Sequence, residues 1–427
     1  MDQDSSSVAQ QLDALITSHN ISYHSQWQPS PQLPKKPLVI PQSTATLAKV
    51  VAICHENNWS IVPCGNASKA TWGGLPSKVD LYLSTRHLNQ IIDHAVGDLT
   101  VTLQAGVTLQ QLQEKLASAN QFLPLDPAYP ETATLGGIVA TADAGSWRER
   151  YGGVRDLLIG ISFVRADGEI AKAGGRVVKN VAGYDLMKLF TGSYGTLGII
   201  TQLTFRTYPL PPTSATLVLS GDRANLLCAA QTLRNATLTP TRADLVSPSV
   251  IEKLQLGKGL GLIIQFETII ESIEEQIKQL SVMADSLNLT ITRFTNNNEK
   301  TLWNQLKEST LIPSSDSAIT CKCGLLPTKV ADFFQNLPPD SYAIIHNKSG
   351  LGKLVLNSID SLSDLQKLRS YCEENRGFLT VLESPLTIKE QIEPWGYSGN
   401  ALTMMKKIKQ QFDPNQQFNP NRFVGGI

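Results

Sequence analysis

The sequence predicts an α+β protein of at least two domains, and three observations carry that prediction. At 427 residues the chain is long enough to bury more than one core. Its middle, 132–209, sets glycine pairs (Gly136-Gly137, Gly152-Gly153, Gly174-Gly175) and spaced glycines (Gly192, Gly195, Gly198) between short apolar strands. Beyond Pro211-Pro212 the pattern changes to strands alternating with amphipathic helices. Without a Cβ, a glycine-rich turn lets a second backbone or a flat ligand approach main-chain amides, so the middle stretch reads as the wall of a ligand site.

The elements follow in order. Leu12, Leu15 and Ile16 suggest a short helix after a polar end, and a proline-rich passage, 29–41, leads to Ser43-Thr44 as a helix cap. Leu47, Val50, Val51 and Cys54 then recur at helical spacing, ending near Asn57-Asn58. A strand over 60–63 runs into the polar loop Cys64-Gly65-Asn66-Ala67-Ser68-Lys69-Ala70 and then Trp72-Gly73-Gly74. Strand followed by a Gly/Asn/Ser/Lys loop suits a diphosphate cradle, in which amides and one lysine meet the negative charge. An ordinary surface turn has the same composition, so the loop alone leaves both readings open. Strands over 79–84 and 99–105 follow, and Thr108 caps a helix carrying Leu109, Leu112 and Leu116 on one face. Asp126-Pro127-Ala128-Tyr129-Pro130 is rigid punctuation, and 159–165 and 169–173 flank the hairpin turn Ala166-Asp167-Gly168.

In the second half, strands are predicted over 215–220, 260–267 and 289–294, with helices over 222–235 and 269–287. In the longer helix Ile269, Ile270, Ile273, Ile277, Leu280, Met283 and Leu287 form one stripe, read as core. Further alternation over 318–325, 328–337, 342–346, 351–357, 361–375 and 378–383 predicts an antiparallel sheet backed by helices.

Composition removes several function classes. The 37 basic and 37 acidic residues cancel, so no global field favours nucleic acid or anionic lipid. Six cysteines in so long a chain make no disulfide framework, and Cys321-Lys-Cys323 lacks the second pair that a zinc or iron–sulfur site needs, so no metal is predicted. The N-terminal MDQDSSSVAQ has no apolar signal region, and no segment approaches the ~20 apolar residues of a membrane span, which predicts a cytoplasmic chain without direct membrane insertion. No G-x-G-x-x-G follows a strand and no G-x-x-x-x-G-K-[ST] occurs, which argues against a Rossmann site and a P-loop.

The series PCGNASKATWGG, TVTLQAGVTLQQLQEKL, DPAYPETATLGGIVAT, RYGGVRDLLIGISFVRADGE, KNVAGYDLMKLFTGSYGTLGIIT and the tail QQFDPNQQFNPNRF now carries a resemblance over about 30–210 and 400–427. In order and spacing it resembles the FAD-linked oxidoreductases of the vanillyl-alcohol oxidase / p-cresol methylhydroxylase (PCMH) type, and within them the FAD-binding E subunits of glycolate oxidases. The resemblance implies an N-terminal extension over 1–29, a two-lobed PCMH-type FAD-binding domain over 30–212, an α+β cap over 213–395 and a return to the FAD domain over 396–427. It places Pro63, Cys64, Gly65, Asn66, Ala67, Ser68 and Lys69 on the diphosphate. Thr134, Leu135, Gly136 and Gly137, with Thr141 and Gly145, fall along the flavin and its phosphates. Gly198, Ile199 and Ile200 match the strand meeting the adenosine half, with the isoleucine side chains read as core, and Asn419 matches a tail asparagine near the ring. Some relatives attach the flavin to histidine or cysteine; here all the histidines lie outside the loop, and FAD is read as non-covalent.

One departure matters for function. Catalytic relatives carry a cap motif H-x-G-D-G-N-x-H that holds a metal, whereas the counterpart here, 345–353, keeps His346 and glycines but lacks the acid and second histidine. Oxidising a 2-hydroxy acid needs a base for the hydroxyl proton and a cation for the carboxylate. The sequence does not assemble that set; His346 reads as a strand-end residue, and Arg234, Arg242 and Arg293 suit a carboxylate or a solvated surface equally. Three readings follow. The first is the FAD-binding subunit of a glycolate-oxidising complex, partnered by a catalytic FAD subunit and an iron–sulfur subunit and touching a membrane only through them. The second is a self-sufficient FAD dehydrogenase of a small 2-hydroxy acid or alcohol. The weakest is a flavin-free scaffold.

Overall fold

The computed structural model describes residues 17, 21–176, 183–310, 317–357, 362–397 and 399–427. The predicted helix at Leu12–Ile16 and positions 179–182 of the glycine-rich series lie outside the described residues. The chain divides into two compact units: the first comprises the residues up to Gly145, Tyr151–Leu210 and Gly399–Ile427, the second Ser146–Arg150 and Pro211–Ser398. The five residues Ser146–Arg150 therefore group with the second unit although the surrounding sequence belongs to the first.

The first unit holds two main sheets. Strands β1 (Ser22–Trp27), β2 (Lys36–Ile40), β3 (Ile61–Cys64) and β4 (Leu81–Ser84) form a four-stranded sheet in the order β1-β2-β4-β3, in which β2, β4 and β3 run parallel. The helix Thr44–Glu56 connects β2 to β3, capped by Ser43, whose Oγ accepts the Thr46 N–H at 3.1 Å. Its predicted face (Leu47, Val50, Val51, Cys54) packs with Val39, Ile61, Leu81 and Leu83. Strands β5 (Ile91–Ala95), β6 (Thr100–Gln104), β8 (Leu158–Val164), β9 (Ile170–Gly174) and β10 (Ile199–Arg206) form an antiparallel sheet in the order β5-β6-β10-β8-β9. The predicted hairpin joins β8 to β9, and Gly168 takes φ +85° at its turn, a left-handed conformation that favours glycine. Two short strands, β7 (Gln121–Phe122) and β11 (Tyr208–Pro209), pair separately. Thr108 caps the helix Leu109–Ala117 through a reciprocal bond set with Gln111.

The C-terminal tail returns to this unit as structure rather than as a loose end. Phe418, fully buried, bridges Ile61 in parallel, with the Ile61 N–H donating to Gln417 O at 2.7 Å and the Asn419 N–H to Ile61 O at 2.9 Å. Lys409, near the end of the helix Leu402–Phe412, fixes the tail: its Nζ donates to Asp413 Oδ2 (2.6 Å), Thr196 O (2.8 Å) and Phe418 O (2.9 Å).

The second unit is one eight-stranded sheet in the order β15-β12-β14-β13-β17-β18-β16-β19, antiparallel throughout. Its strands are β12 (Thr213–Ser220), β13 (Arg242–Val246), β14 (Gly261–Thr268), β15 (Thr290–Phe294), β16 (Ile319–Gly324), β17 (Tyr342–His346), β18 (Leu351–Leu356) and β19 (Phe378–Glu383). The period-two alternation divides each strand between two cores. Leu217, Leu219, Leu262, Ile264 and Ile345 meet the helices Arg223–Asn235, Ile270–Ser286 and Leu362–Glu374, while Val218, Ile263 and Ile344 meet Val250, Leu302, Trp303 and Leu306. In the helix Ile270–Ser286 the predicted stripe narrows: Ile273 and Leu280 are buried, whereas Ile269 and Ile270 at its start are exposed. All six cysteines are free, and Cys321 and Cys323 are buried in β16.

Strand β13, the helix Asn296–Ser309 and strand β1 are among the elements the sequence did not predict, each for a physical reason. Strand β13 is fully buried yet carries Arg242 and Asp244. Arg242 lies between the rings of Trp147 (4.5 Å) and Trp303 (4.1 Å), and Asp244 accepts from Ser146 Oγ at 2.5 Å, so the charges are satisfied without water. The helix Asn296–Ser309 opens on three asparagines that hide its period, and its buried Glu299 accepts from Ser214, Thr216 and Gln265. β1 is largely polar because it is a sheet edge.

The tail makes a first prediction. Lys409→Met would leave Asp413, itself fully buried, without its cation, and removing one partner of a buried pair costs about 3–5 kcal/mol. The urea midpoint should fall accordingly; an unchanged midpoint would mean that the tail is held by something else.

Candidate flavin site

The strand β3, the loop after it and the helix Leu135–Thr141 converge on one cavity of the first unit. Its walls include Pro63, Cys64, Gly65, Asn66, Ala67, Ser68 and Lys69 from the loop, Thr134, Gly136, Gly137 and Thr141 from the helix, and Gly198, Ile199 and Ile200 at the start of β10. Three stretches, each more than fifty residues of sequence from the next, thus line one cavity.

The loop is built to present amides. Its carbonyl side is anchored: Ser84 Oγ donates to Gly65 O (2.8 Å), the Thr85 N–H to Cys64 O (2.9 Å) and the Ala70 N–H to Ala67 O (3.1 Å). Asn66 Nδ2 ties the loop to Thr132 O at 2.9 Å. Ala67 sits at φ +59°, a left-handed turn, and the amides of Asn66, Ala67 and Ser68 have no acceptor among the described residues. Successive N–H groups in such a turn form an anion-binding concavity. Gly65 is required by packing, since a Cβ built there would overlap the Thr134 side chain, whose Oγ1 caps the helix through Gly137 N (3.3 Å). Gly137 differs: a Cβ there meets only that Oγ1, at 3.3 Å, and otherwise points into the cavity.

Lys69 lines the cavity but is already paired inside the protein. Its Nζ lies 2.7 Å from Asp143 Oδ2 and 5.1 Å above the Trp72 ring, and both ionic side chains are buried. The Asp143 carboxylate also accepts the Ala128 N–H at 2.8 Å. A buried ammonium needs a counter-ion, and Asp143 supplies it inside the protein.

Three other predicted residues stand off the cavity wall. Leu135 is fully buried in the hydrophobic core, and Gly145 packs against Asp126, which occupies the space a Cβ would take. Asn419 lies behind the wall at φ +44°: its Nδ2 donates to Tyr194 O at 2.8 Å, and its buried Oδ1 has no partner among the described residues. Ile199 and Ile200 are 2% and 7% exposed, so their side chains belong to the cores, as the sequence indicates.

Sequence reasoning missed several lining residues, among them Trp27, Tyr82, Tyr194 and Arg422. Trp27 and Tyr82 meet edge to face at 5.0 Å, and Tyr82 Oη donates to Pro34 O at 2.8 Å. Arg422 Nη2 donates to Ala70 O (2.7 Å) and Lys69 O (3.2 Å), bracing the carbonyl side of the loop whose amides face the cavity. Burial pushes its guanidinium down to about 10, partly offset by Tyr194, Cys64 and Tyr82 nearby. The signal for Arg422 was present in the tail motif, immediately before its closing Phe423. Burial also pushes the Cys64 thiol up to about 12, against smaller opposing effects of Ser84, Arg86 and Arg422, so the sulfur stays protonated near neutral pH.

The second unit holds a separate polar cluster. Asp244, fully buried, accepts from Ser146 and lies 2.7 Å from His346 Nδ1, while Glu149 accepts the amides of Lys348 (2.6 Å) and Ser349 (3.3 Å). His346 ends β17 as the sequence indicates, held there by a carboxylate. Of the arginines weighed for a carboxylate, Arg293 is exposed and paired with Glu274, Arg242 is sandwiched by tryptophans, and Arg234 lines a cavity.

The cavity thus has loop residues on one side and the helix start at Gly136-Gly137 on the other. Residues 36–174 match the family described as the FAD binding domain, which gives FAD as the cofactor of that segment. The chain is 33% identical over 238 residues to glycolate oxidase subunit GlcD of Bacillus subtilis (strain 168), covering 55% of this chain and 50% of that protein. It is 40% identical over 136 residues to glycolate oxidase subunit GlcE of Escherichia coli (strain K12), covering 32% and 39% respectively. To the mitochondrial D-lactate dehydrogenase [cytochrome] of Arabidopsis thaliana it is 26% identical over 419 residues, 91% of this chain and 73% of that one. The two glycolate oxidase subunits are thus matched over half their length or less. Among solved structures, alkyldihydroxyacetonephosphate synthase superposes with a TM-score of 0.68 at 16% identity, covering 91% of this chain and 77% of that one, which establishes the shared fold.

Gly137 separates ligand binding from folding. Gly137→Ala places a methyl in the cavity while improving helix propensity by up to about 1 kcal/mol. FAD occupancy should fall at least tenfold while the melting temperature of the FAD-free protein holds or rises. A variant that retains FAD like the parent would remove Gly137 from the site.

Proposed function

We propose that this chain is the FAD-binding subunit of a glycolate-oxidising complex that converts glycolate to glyoxylate, with the main chemistry on a partner FAD subunit and an iron–sulfur subunit completing the assembly. More broadly, the relatives support FAD-dependent oxidation of small 2-hydroxy acids. The observation that carries the reading is the pairing of an amide-lined flavin cavity with a cap segment, 345–353, that lacks the second histidine and the acid of the catalytic motif. In this reading Asn66, Ala67 and Ser68 hold the diphosphate with their amides, and Gly137 keeps the cavity open for the ring. Gly198, Ile199 and Ile200 offer main chain to the adenosine half, and Asn419, behind the wall, supports the site through the Tyr194 carbonyl. FAD supplies a two-electron acceptor when bound. The chain's residues bind and orient it, and the protonated Cys64 thiol supports non-covalent attachment. Among the described residues no helix is long and apolar enough to cross a membrane, and membrane association would run through partners.

The test is the visible absorption spectrum of the purified chain loaded with FAD, recorded before and after anaerobic glycolate. A flavin band that glycolate leaves oxidised is expected, together with acid precipitation that releases all of the flavin to the supernatant. Bleaching by glycolate alone would replace this reading with a self-sufficient dehydrogenase. Failure to take up FAD would leave only a scaffold.

A further inference from the structure

The second unit contains a polar cavity of about 210 Å³ whose walls include Arg150, Arg234 and Lys348, with Glu149 as the acid facing them. Arg234 is placed there by design of its neighbour Asn347. That side chain is buried and fixed by its own N–H to Ala243 O (2.7 Å) and by Nδ2 to Ala230 O (2.9 Å), and its Oδ1 accepts Arg234 Nη1 at 2.7 Å. The other guanidinium donors of Arg234 have no hydrogen-bond acceptor among the described residues. Burial lowers Arg234 from its ordinary range, and the nearby Glu149 partly restores it. Arg150 and Lys348 are exposed at the rim and enter no ion pair among the described residues. A half-buried guanidinium with unused, forked donors, held by a rigid asparagine and flanked by two further cations, matches a planar carboxylate.

We propose that this cavity is a binding site for a small carboxylate, anchored by Arg234 and controlled by the protonation of Glu149. The control follows from the surroundings of the acid. Burial and the like charge of Asp244 push Glu149 up to about 7, against smaller opposing effects of His346 and the Lys348 and Ser349 amides. Arg234, Arg150 and Lys348 face it across the cavity. Below that range the acid is neutral and three cations meet the ligand unopposed; above it, a carboxylate competes with the ligand for the same guanidinium. Binding therefore strengthens as pH falls through about 7. None of this requires the flavin, so the site stands or falls independently of the redox reading.

The experiment is isothermal titration of the FAD-loaded full chain with acetate, glycolate and inorganic phosphate at pH 6 and pH 8. Carboxylate binding roughly five- to tenfold tighter at pH 6 is expected, the effect of one unit charge at close range in a partly buried site. Arg234→Gln should weaken it at least tenfold with flavin content unchanged, and Glu149→Gln should erase the difference between the two pH values. Should Arg234→Gln fail to fold, Arg150→Gln and Lys348→Gln, at the exposed rim, should each weaken binding about threefold. Parent-like affinity in Arg234→Gln, or in both rim variants, overturns the proposal; so does binding of phosphate alone, or of no probe.

Discussion

The buried contacts of Lys409 are the interaction on which the first unit's site depends. One ammonium joins three chain segments: Thr196 at the entry to β10, Asp413 at the end of the C-terminal helix and Phe418 in the tail. Asp413 closes the arrangement by accepting the Gln417 N–H (2.9 Å) and the Phe418 N–H (2.7 Å). With the tail held, Phe418 fills the core beside Ile61, Asn419 reaches the Tyr194 carbonyl and Arg422 reaches the back of the loop after β3. The desolvation of Lys409 lowers its affinity for a proton, and Asp413 counteracts it, so the charge survives only as part of the pair. A buried pair of this kind contributes specificity of position more than net stability.

The same rule shapes the chemistry of the flavin cavity. Lys69 and Asp143 neutralise each other, and Arg422 faces the carbonyls of Lys69 and Ala70. What remains for a diphosphate is a row of amide dipoles held in place by Ser84, Thr85 and Asn66. Pre-oriented dipoles need no reorganisation when the ligand arrives, and they leave no buried net charge when it is absent. That is a physical reason for a loop whose own amides point away from the chain.

How much of this was legible in the sequence varied with the kind of signal. The helix over Thr44–Glu56, the capped helix at Thr108 and the β8–β9 hairpin were legible because period, cap and turn agree. The loop from Pro63 to Lys69 and the helix start at Thr134 were legible as neighbours from their glycines and their order, and they line one cavity. The role of Lys69 was not, since its partner Asp143 lies 74 residues away and no local pattern marks a buried ion pair. Strand β13 was hidden for a related reason. Arg242 and Asp244 look solvated in sequence, and only the ring pair Trp147/Trp303 and the Ser146–His346 contacts make their burial tolerable.

The two units thus treat buried charge in opposite ways, and the contrast bears on what each can bind. In the first, the buried ammonium groups of Lys69 and Lys409 are each paired with an aspartate, which suits a large cofactor held by many weak main-chain contacts. In the second, Asp244 is matched by Ser146 and His346, yet Arg234 keeps donors unused beside an acid that burial holds near neutrality. An arrangement of that kind is costly unless something completes it, because a guanidinium loses hydration on burial without gaining full pairing. Glu149 reduces the cost at high pH by supplying a nearby negative charge, and a bound carboxylate would do so at low pH. The acid and an anionic ligand are therefore alternatives for one guanidinium, and their competition makes a fixed set of side chains responsive to protons.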